Sequence, residues 1–284
     1  MYNLSNPSVI KKLLDESGFS FKKSLGQNFL INPSVCPEMA DAACNDDNCG
    51  VLEIGPGVGI LTVELAKRAK KIVAIELDER LRPVLSKTLS DFDNVEVIFG
   101  DAMKLDLREI IATKFAGMPV HVCANLPYYI TSPLIMLLLE SKLPIETITV
   151  MVQAEAADRL CAKIGSRAAG AVSVAVRYHS DPLMLFAVSR SSFLPAPKVD
   201  SAVIQLSVLK APSVDTDNEA NFFKLVKAGF SQRRKTLVNS VSSMLSIDKQ
   251  TIILALEQCG LSPDIRTEKL TMAQLSQVSN FIFK

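Results

Sequence analysis

The chain has 284 residues, of which 48% are hydrophobic and 21% charged, and its formal net charge is +1. That length allows one large or two modest domains with a sizeable core, and the neutral balance excludes a globally polyanion-binding surface, so any nucleic-acid face must be local. Six scattered cysteines without a CxxC pair, beside only two histidines, predict reduced thiols and no metal site.

The opening stretch MYNLSNPSVIKKLL has no apolar h-region, and no run approaches the ~18 apolar residues of a membrane span, so a soluble cytoplasmic protein is expected. Residues 8–17 predict a short helix, and 18–32 an ordered loop. A helix restarts near Pro33 with Asn32 as its cap. From residue 50 strands and helices alternate: strand GVLEIG, helix GILTVELAKRA, strand KIVAIELD, helix ERLRPVLSKTL, strand NVEVIFGD, a helix over 105–114, strand VHVCANLP, helix SPLIMLLLES, strand TITVMVQ and helix EAADRLCAKI. That alternation predicts an α/β fold, a doubly wound, mostly parallel sheet. Residues 171–178 and 199–209 read as late strands forming a terminal hairpin on it. After the polar, proline-containing stretch 210–219 only helical periods remain. The predicted organisation is a catalytic domain over 1–210 and a small all-α domain over 211–284.

The ends of the strands carry the chemistry. VLEIGPGVGILT places Gly55, Gly57 and Gly59 between strand and helix, where glycine lets backbone approach a ligand. The spacing is E-x-G-x-G-x-G, with Glu53 ahead of it, and Ile60 stands where the dinucleotide fingerprint requires glycine. Glu76 ends the second strand, at a distance suited to a ribose diol; Asp101 ends the third and Asn125 the fourth. Either acid alone is better read as the cap of the next helix. Four strand ends in register point to a nucleoside-bearing cofactor.

This arrangement resembles the class I S-adenosylmethionine-dependent methyltransferases, a Rossmann-like family. The resemblance assigns the ribose to Glu76 and the adenine amino group to Asp101, with the glycine turn, Gly55 and Gly57, as the family's first motif. NLPY, Asn125–Tyr128, resembles the family's loop for attack by an exocyclic amine. Such an amine is a poor nucleophile whose N–H bonds need acceptors. The Asn125 side-chain oxygen supplies one and the Leu126 carbonyl the other, with Pro127 holding Leu126 extended and Tyr128 stacking on an extruded base. Tyr129 is read as packing.

Further stretches narrow the resemblance to the ribosomal RNA adenine N6,N6-dimethyltransferases of the small-subunit type: KKSLGQNFL (22–30), FLPAPKVDSAV (193–203), GFSQRRKTLVNS (229–240) and CGLSPDIRTEKLTMAQL (259–275). The resemblance implies cofactor contacts from Gln27, Asn28 and Leu30. It also implies a stacking role for Phe193 on the face of the base opposite Tyr128, although a core role for that phenylalanine reads equally well. Expected from it are S-adenosylmethionine as cofactor, S-adenosylhomocysteine as product, and two adjacent adenosines in the 3′-terminal hairpin loop of 16S rRNA as substrate, in ribosome biogenesis. The large-subunit adenine methylases share several of these motifs and stand as the alternative. A monomer is expected to contact RNA through Lys224, Lys227, Arg233, Arg234 and Lys235, a stretch without acids, and through Lys22 and Lys23. Arg159, Lys163 and Arg167 form a further candidate with acids nearby. His121 and His179 receive no role.

Overall fold

The computed structural model describes residues 2–18, 29–44, 48–232 and 234–284. Gln27, Asn28, Lys22, Lys23 and Arg233 therefore lie outside the described residues. The chain divides into two compact units, Met1–Ala157 with Leu183–Val208, and Asp158–Pro182 with Leu209–Lys284. Residues 158–182 thus group with the C-terminal helices, a return of the chain that a single division at 210 does not contain.

The elements of the first unit begin with α1 (Pro7–Glu16), capped by the Asn6 side chain on Ser8 N. β1 (Phe29–Leu30) follows inside the segment expected to be loop, and α2 spans Val35–Ala43. Asn32 does not cap that helix: its Oδ1 accepts from Ser34 N at 3.1 Å, a side-chain turn that delays the helix to Val35. The alternation then runs β2 (Gly50–Ile54), α3 (Ile60–Ala66), β3 (Lys71–Glu76), α4 (Arg82–Thr88), β4 (Val95–Phe99), α5 (Leu107–Lys114), β5 (Val120–Asn125), α6 (Thr131–Glu140) and β6 (Thr147–Gln153). Asp106 caps α5 by accepting from Glu109 N. β2 and β3 are buried on both faces at nearly every position, as parallel strands covered by helices must be.

α7 (Ala154–Leu160) leads away from the sheet. The next segment corrects the expected strand at 171–178: it is helix α8 (Ala171–His179), and the strand, β7 (Ser180–Val188), begins only after it. Alternating Val172, Val174 and Val176 mimic a strand, but a short apolar run has an ambiguous period. Two local bonds decide for the helix. Ser173 Oγ accepts from Gly170 N at 3.0 Å and donates to Arg159 O at 2.6 Å.

β8 (Phe193–Leu194) and β9 (Ser201–Val208) complete the first unit. The seven-stranded sheet has the order β4-β3-β2-β5-β6-β9-β7, parallel through β6, with β9 antiparallel to β6. β1 and β8 form a separate antiparallel ribbon in which Phe29 faces Leu194 and Leu30 faces Phe193. This is a Rossmann-like fold, and its strand order reverses between β2 and β5, the position at which such sheets bind ligands. Cys44 and Cys49 are joined by a disulfide, which corrects the expectation of six reduced thiols; Cys36, Cys123, Cys161 and Cys259 are free.

The second unit holds α8 with α9 (Glu219–Gly229), α10 (Leu237–Leu245), α11 (Lys249–Gln258) and α12 (Met272–Ile282). Its core gathers Val174 and Tyr178 of α8 with Phe222, Leu225, Leu237, Leu256 and Leu275. Among the described residues no helix is long and apolar enough to cross a membrane.

Candidate active site

The carboxyl ends of β2 to β5 converge on a cleft with a cavity volume of about 280 Å3. Gly55 and Gly57 line it from the turn after β2, Glu76 from the end of β3, and Asp101 from the turn after β4. Asn125, Leu126, Pro127 and Tyr128 line it from the end of β5, and Leu30 and Phe193 from the β1–β8 ribbon. Every expected site residue within the described set thus faces one cavity, although the residues come from segments up to 163 positions apart, Leu30 to Phe193.

The glycine turn is fixed to the next strand. Gly57 has φ of +61°, and its N donates to Glu76 Oε2 at 3.1 Å. The second oxygen of Glu76 accepts from Asp78 N at 2.8 Å. Burial raises the Glu76 carboxyl above its ordinary range, while these two backbone donors pull it back. Gly59 serves differently. With φ of +92°, it stands at the start of α3, and a Cβ there would meet Thr88 Oγ1 at 3.1 Å and the Leu89 side chain at 3.2 Å. The third glycine therefore lets α3 pack on α4, and it does not line the cleft. Asp101 Oδ1 accepts from Met103 N at 2.9 Å, and Oδ2 lies 3.5 Å from Lys104 Nζ. It organises its own turn while facing the cavity.

The loop after β5 is held from both ends. Leu126 N donates to Met151 O at 3.3 Å, and Pro127 O accepts from Ile130 N at 3.1 Å. Leu126 is buried; Asn125 and Tyr128 are half-buried at the cavity wall. The Tyr128 and Ser201 hydroxyls are 3.0 Å apart and share a hydrogen bond. Phe193 lines the cavity and also belongs to the core cluster under α2, so it is both a wall and a packed residue. Tyr129 corrects the expectation of packing: it is 56% exposed, at the mouth of the cleft.

Glu53 is a residue whose place the sequence did not reveal. It is 1% exposed, lines the cavity, and its Oε2 has no hydrogen-bond partner among the described residues. Burial pushes its carboxyl up to about 8, and the neighbouring Glu76 adds to the rise. The Thr62 hydroxyl is near enough to favour ionisation without reaching hydrogen-bond geometry. The available signal was an acid set one residue before the end of a strand with every other position buried. Such a carboxylate is tolerated where a ligand can meet it. Among the described residues no group of three or more His, Cys, Asp or Glu is placed to hold a metal ion.

The profile of the ribosomal RNA adenine dimethylase family matches residues 18–284. The chain belongs to that family. Membership makes it an rRNA adenine methyltransferase. This dimethylase is 46% identical over 282 residues to a ribosomal RNA small subunit methyltransferase A of Geobacillus thermodenitrificans, covering 98% of this chain and 96% of the relative. It is similar in structure to a dimethyladenosine transferase from Plasmodium falciparum, with a TM-score of 0.73 and 28% identity over 88% of this chain and 95% of that one. It is also similar to the 23S rRNA methyltransferase ErmE, with a TM-score of 0.70 and 26% identity over 90% of this chain and 100% of that one.

In the second unit of the dimethylase, Lys224 and Lys227 of α9 and the following Arg234 and Lys235 are all exposed. None of the four enters a salt bridge among the described residues. Arg159 and Lys163 lie in the same unit. Arg177 there donates to the carbonyls of Cys161 and Ala162 and stands 3.8 Å from Asp181, so it serves the fold.

Proposed function

We propose that this chain dimethylates N6 of two adjacent adenosines in the 3′-terminal hairpin loop of 16S rRNA, in ribosome biogenesis, with S-adenosylmethionine as methyl donor. The observation that carries the reading is the single cavity onto which the glycine turn, Glu76, Asp101 and the Asn125–Tyr128 loop all open. The small-subunit substrate is supported by the near-full-length relatives that carry that name.

The residues present fit the cofactor. Glu76 and Asp101 offer carboxylate acceptors for a ribose diol and an exocyclic amine. The turn at Gly55 and Gly57 brings backbone close to the ligand, and the unpartnered Oε2 of Glu53 offers an acceptor to its ammonium group. Gln27 and Asn28 are assigned to the same ligand by resemblance, beside Leu30. Bound there, S-adenosylmethionine supplies an electrophilic sulfonium methyl.

The chain's own work is positioning. Asn125 Oδ1 and the Leu126 carbonyl accept the two N–H bonds of the target amine and keep its lone pair aimed into the cleft. Pro127 fixes the Leu126 backbone, and the bond from Leu126 N to Met151 O ties it to the sheet. Tyr128 and Phe193 hold the extruded base between them. No strong base is needed, because the amine becomes acidic once it has attacked. Phosphates meet Lys224, Lys227, Arg233, Arg234 and Lys235, with Lys22 and Lys23 as a second contact.

The structural likeness to ErmE favours one alternative, adenine methylation in large-subunit RNA. Mass mapping of modified nucleosides on isolated 30S and 50S particles, after incubation with protein and S-adenosylmethionine, separates the two. Dimethyladenosine pairs on 30S material are expected; label on 50S material alone overturns the reading.

A further inference from the structure

We infer that Ser201 is a positioning residue for methyl transfer, acting on the target base through the Tyr128 hydroxyl. The inference rests on the proposed role of Tyr128.

Ser201 sits 73 positions from Tyr128, on the first residue of β9, and is 1% exposed. Its own backbone is fixed on one side by the sheet. Gln153 of β6 is its register partner, and Ala154 N donates to Asp200 O at 3.0 Å. On the other side an arginine clamps the approach to the strand. Arg190 donates from N and Nε to Asp200 Oδ1, at 3.0 and 3.1 Å, and from Nη1 to Lys198 O at 3.0 Å. The segment between these anchors carries Phe193, which is itself paired with Leu30 in the β1–β8 ribbon. Ile31 N, next in that ribbon, donates to Ser192 O at 2.7 Å.

The consequence is a shared frame. Phe193 and Ser201 belong to one pinned segment, and Ser201 reaches across to hold the hydroxyl of Tyr128 at 3.0 Å. The two aromatic walls of the base slot are thereby kept at a fixed separation, although one stands in the loop after β5 and the other on β8. The phenol oxygen lies on the ring's own axis, so the hydrogen bond at its far end holds the first side-chain torsion and with it the place of the ring. Without the bond the ring still packs, but its place against the base is no longer set. A small misplacement of a reacting group costs rate far more than binding.

The test is a double-mutant cycle on 30S particles, with steady-state kinetics for RNA and S-adenosylhomocysteine affinity as the control. Ser201→Ala and Tyr128→Phe each lower kcat about tenfold, with KM for the particle changed less than about twofold and S-adenosylhomocysteine affinity unchanged. The double variant is no worse than either single one, because both remove the same bond. Ser201→Thr, which keeps the hydroxyl, restores most of the rate. A kcat for Ser201→Ala within twofold of the unaltered protein overturns the inference, as does full additivity with Tyr128→Phe. Should Ser201→Ala fail to fold, the comparison of Tyr128→Phe with Ser201→Thr decides: an unimpaired Tyr128→Phe enzyme sinks the idea. If the unaltered chain leaves 30S particles unmodified, the reading of the site fails and this inference falls with it.

Discussion

At the scale of single residues, Glu53 has the largest consequence. A carboxyl that ionises near 4.5 in an unfolded chain and near 8 in the folded one stays protonated in the native state across that interval. The unfolded chain then binds fewer protons than the folded one, so stability falls as pH rises from about 4.5 to about 8. Glu53→Gln removes the dependence. In the cofactor-free protein it should raise the melting temperature by several degrees at pH 8 and by next to nothing at pH 4.5, from a penalty on the order of a few kcal/mol. Equal shifts at the two pH values would count against a protonated native carboxyl. The same substitution should weaken S-adenosylhomocysteine binding, because an ammonium group beside Glu53 draws its carboxyl back to the ionised form, which an amide cannot take. Glu76, Asp101 and Asn125 were readable from sequence because each stands at or just beyond the carboxyl end of a strand, where topology leaves few other roles. The pairing of Ser201 with Tyr128 was not readable: Ser201 stands inside the FLPAPKVDSAV stretch, but its partner lies in the loop after β5, 73 positions away, and nothing in the sequence sets the two hydroxyls side by side.

At the scale of elements, the start of β2 sets a tight limit. A Cβ built on Gly50 would lie 2.3 Å from the ring of Phe115, which is fully buried after α5. Gly50→Ala therefore overpacks the end of the strand remote from the cleft. It should cost about 1–3 kcal/mol, read as a lowered urea midpoint, while folded enzyme keeps its kcat. An unchanged midpoint would show that the ring yields at no cost. β2, β3 and β6 were legible because both their faces are buried and their sequences are short, largely apolar runs rich in Val and Ile. α8 was not, because three alternating valines give the strand period and the deciding bonds come from Gly170 and Arg159. β1 was equally hidden. Two residues make no pattern of their own, and they become a strand only because Phe193 and Leu194 arrive from far along the chain.

At the scale of the whole molecule, a net charge of +1 gives no long-range attraction for RNA, so binding must draw on local charge. Replacing Lys224, Lys227, Arg234 and Lys235 together by alanine should flatten the salt dependence of 30S affinity by roughly 3 in log–log slope and weaken binding at moderate salt. S-adenosylhomocysteine binding should not change. A slope equal to that of the unaltered protein would move the RNA contact elsewhere. The helical texture of the last quarter was legible, since its periods are clean. The membership of residues 158–182 in the same unit was not, because it depends on contacts with a core more than forty positions downstream, such as Tyr178 against Phe222.

The place of β9 bears on synthesis. It is the last strand in sequence, yet it lies between β6 and β7. A nascent chain ending near residue 200 already carries the glycine turn, Glu76, Asp101 and Asn125. It has no strand to join β7 to the sheet and no hydroxyl to meet Tyr128. The exposed flank of β6 stays open until some fifty residues beyond the end of that strand have been made, a long-range closure that slows completion of the sheet. The half-made protein would thus have most of its cofactor cleft before its base slot, so substrate engagement waits on the final strand of the domain.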